Sequence, residues 1–295
     1  MAQAETRQGT YLTRTSKVKR VMREGKIALG TYANFTDPSQ LEIAGLGGWD
    51  AVIMMWEYTS IDFGMLEHQI RAAENVDIDY IVRIPETNTS FIKRVLDIGA
   101  HGIYLPHDGR GIEGIKQALN AMRYPPEGSR TLALRVRANG YGYFTGDERR
   151  VPEGSRPGGY YTDMWQTWKE KIDDVVVIVP IEDRRAFDEV EEIAKLDGID
   201  LFFVSVFDIA DALRVPYTDR DAILGKWEEL GKIAKRYGKK LCVPYDHTAQ
   251  AIKPQDLIRF NAGYAHVVPD ATTTLLKAYQ AKTQEIRKGL GYGSS

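Results

Sequence analysis

The chain has 295 residues, enough for one large core or two small ones. Its 39 Lys and Arg nearly balance 41 Asp and Glu, so no global field draws it to nucleic acid or to an anionic membrane. No apolar run reaches the roughly 20 residues of a membrane span, and the lone Cys242, in KKLCVPY, excludes an internal disulfide and reads as a buried small hydrophobe. These features predict a cytoplasmic protein.

Residues 1–24 carry basic side chains without an apolar core or a cleavage pattern, so they read as a flexible arm or a leading helix rather than a secretory signal. A first β-type run covers Lys26–Tyr32, and the cap-like Thr36-Asp37-Pro38 opens a helix over Pro38–Leu46. Strand and helix patterns then alternate: Asp50–Trp56, Leu66–Asn75, Tyr80–Ile84, Ser90–Ile98, Gly102–Pro106, Ile112–Met122. A polar stretch rich in Arg, Gly, Tyr and Pro follows over 124–174, with a short extra strand possible near Thr131–Val136. The alternation resumes with Val175–Ile181, Arg184–Leu196, Asp200–Val206, Arg220–Tyr237, Lys240–Tyr245 and Ala265–Pro269. Most strand runs are apolar without alternation, as parallel strands buried on both faces require. Several helices stop at a glycine, as in Asp97-Ile98-Gly99, Asp197-Gly198 and Asn261-Ala262-Gly263.

Eight strands alternating with helices predict an α/β fold, a (β/α)8 TIM barrel forming one domain over 1–295. An open doubly wound sheet is the competitor. It lacks a Gly-rich turn after an early strand, because Gly45–Gly48 precedes a strand instead. Barrels of this kind carry their sites at the C-terminal strand ends. Those ends supply Asn34, Glu57 with Tyr58, Arg83, His107, Glu182, Asp208, Asp246 with His247, and Asp270.

Glu182 and Asp208 end consecutive strand runs, VVVIVPIE and LFFVSVFD. Paired carboxylates suit Mg2+ or Mn2+, which take oxygen ligands and keep several waters. The competing reading is that each caps the next helix, Asp208 capping Ile209–Leu213. Arg83, in YIVRIPETN, offers a planar fork to a substrate carboxylate or a salt bridge to a neighbouring strand-end acid. His107, in LPHDGR, is either an acid/base or a structural histidine. Arg123 and Arg130 flank the turn RYPPEGSR and could face the site mouth or a subunit interface. The Gly- and Tyr-rich stretch Asn139–Tyr161 is the candidate lid.

Four stretches carry a family resemblance: RYPPEGSR (Arg123–Arg130), VRIPETN (Val82–Asn88), VIVPIEDRRAFDEV (Val177–Val190) and PDATTTLL (Pro269–Leu276). Through them the chain, from about Gly30 to Leu276, resembles the metal-dependent class II pyruvate aldolases of the HpcH/HpaI type, related to the citrate lyase β-subunit group. The resemblance implies a barrel of the phosphoenolpyruvate/pyruvate-domain type. It implies Glu182 and Asp208 as ligands of Mg2+ or Mn2+, and Arg83 as the group steadying a 2-oxo acid and its enolate. The implied reaction is reversible aldol cleavage. The family's Asp-Gly-Glu-His run becomes Met55-Trp56-Glu57-Tyr58 here, so the usual Asp/His dyad is replaced. Its Gly-Pro-Ala-Asp run becomes Ser205-Val206-Phe207-Asp208. Substrate contacts are therefore expected from Ser205, Val206, Phe207 and Trp56 as well as Arg83. The replacement for the dyad is left open among Tyr58, His107, Glu57 and a metal-bound water. The functions expected are a carbon–carbon lyase acting on a small 2-oxo acid, a decarboxylase or enolate-condensing synthase, or a non-catalytic oxo-acid-binding subunit. The resemblance also implies a homo-oligomer, often a hexamer, with Thr274–Leu290 as the C-terminal helix packing across subunits.

Overall fold

The computed structural model describes residues 16–107, 111–131, 133, 136–138, 174–246, 252–268 and 270–291. The candidate lid Asn139–Tyr161, most of the 124–174 insertion and His247 lie outside the described residues. So do Leu132, Leu134 and Arg135 of the possible strand near Thr131–Val136. The eight strands are β1 (Ala28–Ala33), β2 (Ala51–Met54), β3 (Asp79–Arg83), β4 (Gly102–Tyr104), β5 (Val176–Pro180), β6 (Leu201–Phe203), β7 (Lys240–Asp246) and β8 (Ala262–Val268). All pair in parallel, and β1 pairs with both β2 and β8, so the sheet closes into a barrel. The expected TIM-barrel architecture is the one observed.

Two apolar clusters follow from strand periodicity, because alternate side chains point to opposite faces. Val52, Met54, Tyr80, Val82 and Ile103 pack outward against the helices. Ala51, Ile53, Ile81, Tyr104, Ile178, Leu201, Phe203, Cys242 and Tyr264 fill the lumen. Gly30 belongs to the lumen for a steric reason. A Cβ there would lie 1.8 Å from the Tyr264 hydroxyl and 2.5 Å from the Ala51 carbonyl oxygen.

Residues 17–23, within the described part of the stretch read as an arm or a leading helix, form a helix. Its Val18 is fully buried in the lumen cluster, so the helix stoppers the N-terminal end of the barrel. Aspartates at the strand starts hold it there. Asp79 accepts from the Ser16 hydroxyl at 2.6 Å and from the Val18 amide at 2.9 Å. Lys17 pairs with Asp50 at 3.3 Å, Lys19 with Asp200 at 3.3 Å, and Arg23 with Asp174 at 2.6 Å.

At the opposite end, side-chain caps launch several helices directly from the strand ends. Asp62 accepts from the Met65 amide, Asn88 from Ser90 and Phe91, Asp183 from Ala186, and Asp270 from Thr273. The RYPPEGSR turn packs inward rather than toward a site mouth. Arg130 is buried, pairs with Asp97 at 2.7 Å and lies over the Tyr124 ring. Among the described residues, no helix is long and apolar enough to cross a membrane. The C-terminal helix, Ala271–Gly289, buries none of its residues.

Candidate functional site at the C-terminal mouth of the barrel

Strand parity carries functional groups from the lumen face up to the mouth. Ile81 and Arg83 lie on one face of β3, and Arg83 is the register partner of Tyr104 on β4. Tyr104 is in turn the partner of Ile178 on β5. Counting by twos from Ile178 reaches Glu182 just beyond the strand, which explains how this carboxylate comes to be only 2 % exposed.

Arg83, 6 % exposed, has its whole fork engaged. Its Nε pairs with Glu57. Nη1 donates to the Tyr104 hydroxyl at 3.1 Å and Nη2 to the Tyr58 hydroxyl at 3.3 Å. The guanidinium also lies over both rings, 4.5 Å from the Tyr104 centroid and 5.2 Å from that of Tyr58. Burial opposes its charge, but Tyr104, Glu57, Tyr58 and Glu182 outweigh that and raise its pKa, so the cation is permanent.

Glu182 sits in the field of that cation, yet its pKa is raised to about 7. Burial is the main cause and the neighbouring Asp208 the second; Arg83, His107 and Ser205 act in the opposite direction. Its Oε2 is enclosed and finds no hydrogen-bond partner among the described residues. Asp208 is in the first turn of the helix Phe207–Leu213, but its carboxylate is not the cap. The Ser205 hydroxyl accepts from the Asp208 amide at 3.0 Å and donates to Asp208 Oδ2 at 2.7 Å, so the serine does the capping and steers the acid. Among the described residues no group of three or more His, Cys, Asp or Glu gathers as a complete metal cage.

His107, on the loop after β4, lies between two carboxylates. Its Nε2 is 2.7 Å from Asp183 Oδ2 and its Nδ1 is 3.7 Å from Glu182 Oε1. Burial works against its charge, but the hydrogen bond to Asp183 and the charges of Glu182, Asp183 and Asp208 raise its pKa. The Tyr58 phenol is raised as well, by burial first, with Arg83 partly offsetting it.

Two expected substrate contacts are placed elsewhere. Trp56 packs edge-on against Phe63 and Phe91, with centroids 5.0 Å and 5.4 Å away, because β2 ends at Met54 and a short 3-10 turn over Trp56–Tyr58 turns the indole toward the helix layer. Val206 is buried in the outer apolar cluster, leaving only its backbone near the mouth. Phe207 and Tyr58 remain 66 % and 67 % exposed at the mouth, Phe207 against Tyr217. Several groups escaped the strand-end census because they lie below it, inside the strands: Tyr32, Tyr104, Phe203 and His266. Counting back by twos from Asn34, Ser205 and Asp270 would have found Tyr32, Phe203 and His266; Tyr104 is the register partner of Arg83 on the next strand. Asp183 was hidden beside Glu182 as an apparent cap.

The chain is similar to known proteins in sequence and in fold. The HpcH/HpaI aldolase/citrate lyase family profile matches residues 29–226. The 5-keto-4-deoxy-D-glucarate aldolase of Enterobacter sp. (strain 638) is 29 % identical over 197 residues, covering 67 % of this chain and 69 % of that protein. The enzyme of the same name from Citrobacter koseri is 28 % identical over 198 residues, with the same coverage. Among solved structures, an HpcH/HpaI aldolase from Desulfitobacterium hafniense DCB-2 superposes with a TM-score of 0.75 at 22 % identity, covering 91 % of this chain and 96 % of that one. Macrophomate synthase superposes with a TM-score of 0.71 at 17 % identity, covering 98 % and 96 %. These structures share the fold, and the profile runs from β1 past β6 into the helix Arg220–Arg236, through Arg83, Glu182 and Asp208. The chain belongs to the HpcH/HpaI aldolase/citrate lyase family.

Proposed function

We propose that this protein is a divalent-metal-dependent carbon–carbon lyase that acts on a small 2-oxo acid through a pyruvate-like enolate. The carrying observation is Glu182: a buried carboxylate with an unpartnered oxygen and a raised pKa, beside Asp208 and facing a permanent arginine cation. Such a group is costly to keep ionised without a cation against it. Two carboxylates, with water and substrate oxygens completing the shell, fit Mg2+ or Mn2+. Glu182 and Asp208 would hold the ion, which supplies Lewis-acid charge to substrate oxygens when bound.

The remaining roles belong to the chain's own groups. Arg83, held by Glu57 and the two tyrosines, presents fixed positive charge to the oxo-acid and its enolate without reorganising. Ser205 fixes Asp208, and the backbone from Ser205 to Phe207 lines the substrate carboxylate. His107, paired with Asp183, replaces the missing dyad as the group that carries a proton. As the neutral imidazole it takes the C4 hydroxyl proton while the C3–C4 bond breaks, and its raised pKa lets it hold that proton beside Asp183 and return it to the enolate carbon. The names of the aldolase relatives support the aldol direction.

A second reading rests on Tyr58. With its phenol raised and bonded to Arg83, it is a poor base for the hydroxyl proton that retro-aldol cleavage must remove. Decarboxylation of a β-oxo acid such as oxaloacetate, or condensation of its enolate, needs no such base. Pyruvate release from a 4-hydroxy-2-oxo acid and from oxaloacetate, each with Mg2+ or Mn2+ and then with a chelator, distinguishes the readings. Failure of both substrates to respond to metal would refute both. The exposed Leu275, Leu276, Tyr279, Ile286 and Leu290 of the C-terminal segment support assembly as a homo-oligomer.

A further inference from the structure

Beneath the mouth, aromatic rings from four strands run across the lumen. Tyr32 of β1 meets His266 of β8 at 4.7 Å between centroids, and His266 stacks on Phe203 of β6 at 5.4 Å. Phe203 meets Tyr104 of β4 at 5.1 Å, and Arg83 lies over Tyr104. This floor is apolar apart from its hydroxyls, the His266 imidazole and the guanidinium. In an eight-stranded ring, β1 and β8 stand across from β4 and β5, so Tyr32 and His266 form the wall facing Glu182.

His266 is 2 % exposed, and its pKa is pushed down to about 3, by burial first and by Arg83 second. It is therefore neutral and carries one ring proton. Its Nε2 lies 3.1 Å from the Tyr32 hydroxyl, while Nδ1 is enclosed with no partner among the described residues. That asymmetry assigns the tautomer. A proton on Nδ1 would be a buried orphan donor, which proteins avoid more strictly than an orphan acceptor. With the proton on Nε2, His266 donates to the Tyr32 oxygen. The Tyr32 hydroxyl proton then has no acceptor among the described residues and is left to point outward. Tyr32 is half-buried, against the lumen cluster, and the Val18 helix closes the other end of the barrel, so its open side faces the mouth. Arg83, Glu182 and Asp270 all act electrostatically on its hydroxyl.

We propose that Tyr32 is a further substrate-binding residue, donating its phenolic hydrogen bond to the bound 2-oxo acid from the β1–β8 wall, and that His266 is the positioning residue that turns the proton toward the site. The inference rests on the oxo-acid reading above. It adds a donor on the wall facing Glu182, two strands around the ring from Arg83, so the enolate is held from another side.

The test is calorimetric titration of oxalate, an enolate mimic, into the Mn2+-loaded full-length protein. Y32F removes one oxygen atom from an otherwise unchanged ring. It is expected to weaken oxalate about tenfold or more, while Mn2+ affinity measured without oxalate stays at the wild-type value. H266L, which removes the orienting N–H, is expected to weaken oxalate by about fivefold or more, and H266Q, which keeps an N–H near the Nε2 position, to recover part of that loss. Equal oxalate affinity in wild type and Y32F overturns this inference alone. A wild-type protein that binds Mn2+ but no oxalate overturns the oxo-acid reading, and this inference with it. H266L at wild-type affinity overturns the positioning role.

Discussion

The metal-free barrel should lose stability as pH rises through neutrality, and Glu182→Gln should remove the share of that loss that belongs to this carboxyl. A carboxyl whose folded pKa is raised stabilises the fold fully below its unfolded pKa, and that stability fades as pH climbs through the folded value. For Glu182 the ordinary value is 4.5 and the folded one about 7. Linkage between those values predicts that about 2–3 kcal/mol of metal-free stability disappears between pH 5 and pH 8 on account of this one group. Glutamine keeps the shape and cannot ionise, so whatever fixed cost it carries is independent of pH. Urea unfolding followed by circular dichroism, with a chelator, at pH 5, 6, 7 and 8 measures the two slopes. The stability of E182Q relative to wild type should rise by about 2–3 kcal/mol across that range. Saturating Mg2+ or Mn2+ should reverse the difference at pH 8, because only the wild type gains a ligand contact. Parallel pH profiles without metal would refute the reasoning.

Further outcomes follow from the same contacts. Arg83→Lys keeps the charge but loses the planar fork shared by Glu57, Tyr58 and Tyr104; we expect kcat/KM to fall about 100-fold, and a change under threefold would contradict the role given to Arg83. Asp183→Asn retains a capping oxygen for Ala186 but removes the charge beside His107. The His107 titration followed by NMR should move to lower pH, and stability that now persists below pH 6.5 and fades above it should vary less. An unmoved midpoint would show that Asp183 is not the cause. Trp56→Ala should cost about 3 kcal/mol in denaturation while leaving oxalate affinity unchanged, since the indole packs on Phe63 and Phe91. Loss of oxalate affinity without loss of stability would return Trp56 to the substrate. Asp79→Ala should cost about 2 kcal/mol and open the Lys17–Arg23 helix to trypsin, as read by the rate of cleavage near Arg20.

The barrel was legible because its strands are continuous apolar runs, and such runs need burial on both faces. Boundaries were less so, for identifiable reasons. The expected eighth strand began at Ala265, but β8 begins at Ala262. The helix before it turns at Asn261, which takes the left-handed conformation (φ 57°), so Gly263 is already in the strand. That glycine is needed for close approach, since a Cβ there would lie 2.6 Å from the Met22 sulfur. The helix expected from Leu66 starts at Phe63 because Asp62 caps it, a signal hidden by the apolar Phe63 and the Gly64 that follow. At the site, residues at strand ends could be listed from the sequence. Their partners could not, because Glu57 with Arg83 and His107 with Asp183 are contacts across strands. Tyr32 and His266 lay one step lower, where only the closed ring brings β1 beside β8.

The stoppered end of the barrel has a kinetic meaning. With Val18 seated in the lumen and Asp79 bolting its helix in place, the described residues close that end, so under the proposed function reactant and product would pass through the opposite mouth. A molecule held above the aromatic floor blocks the next arrival until it leaves the way it came. Small acids released last should therefore inhibit competitively, and traffic through that mouth, as much as bond breaking, can limit throughput.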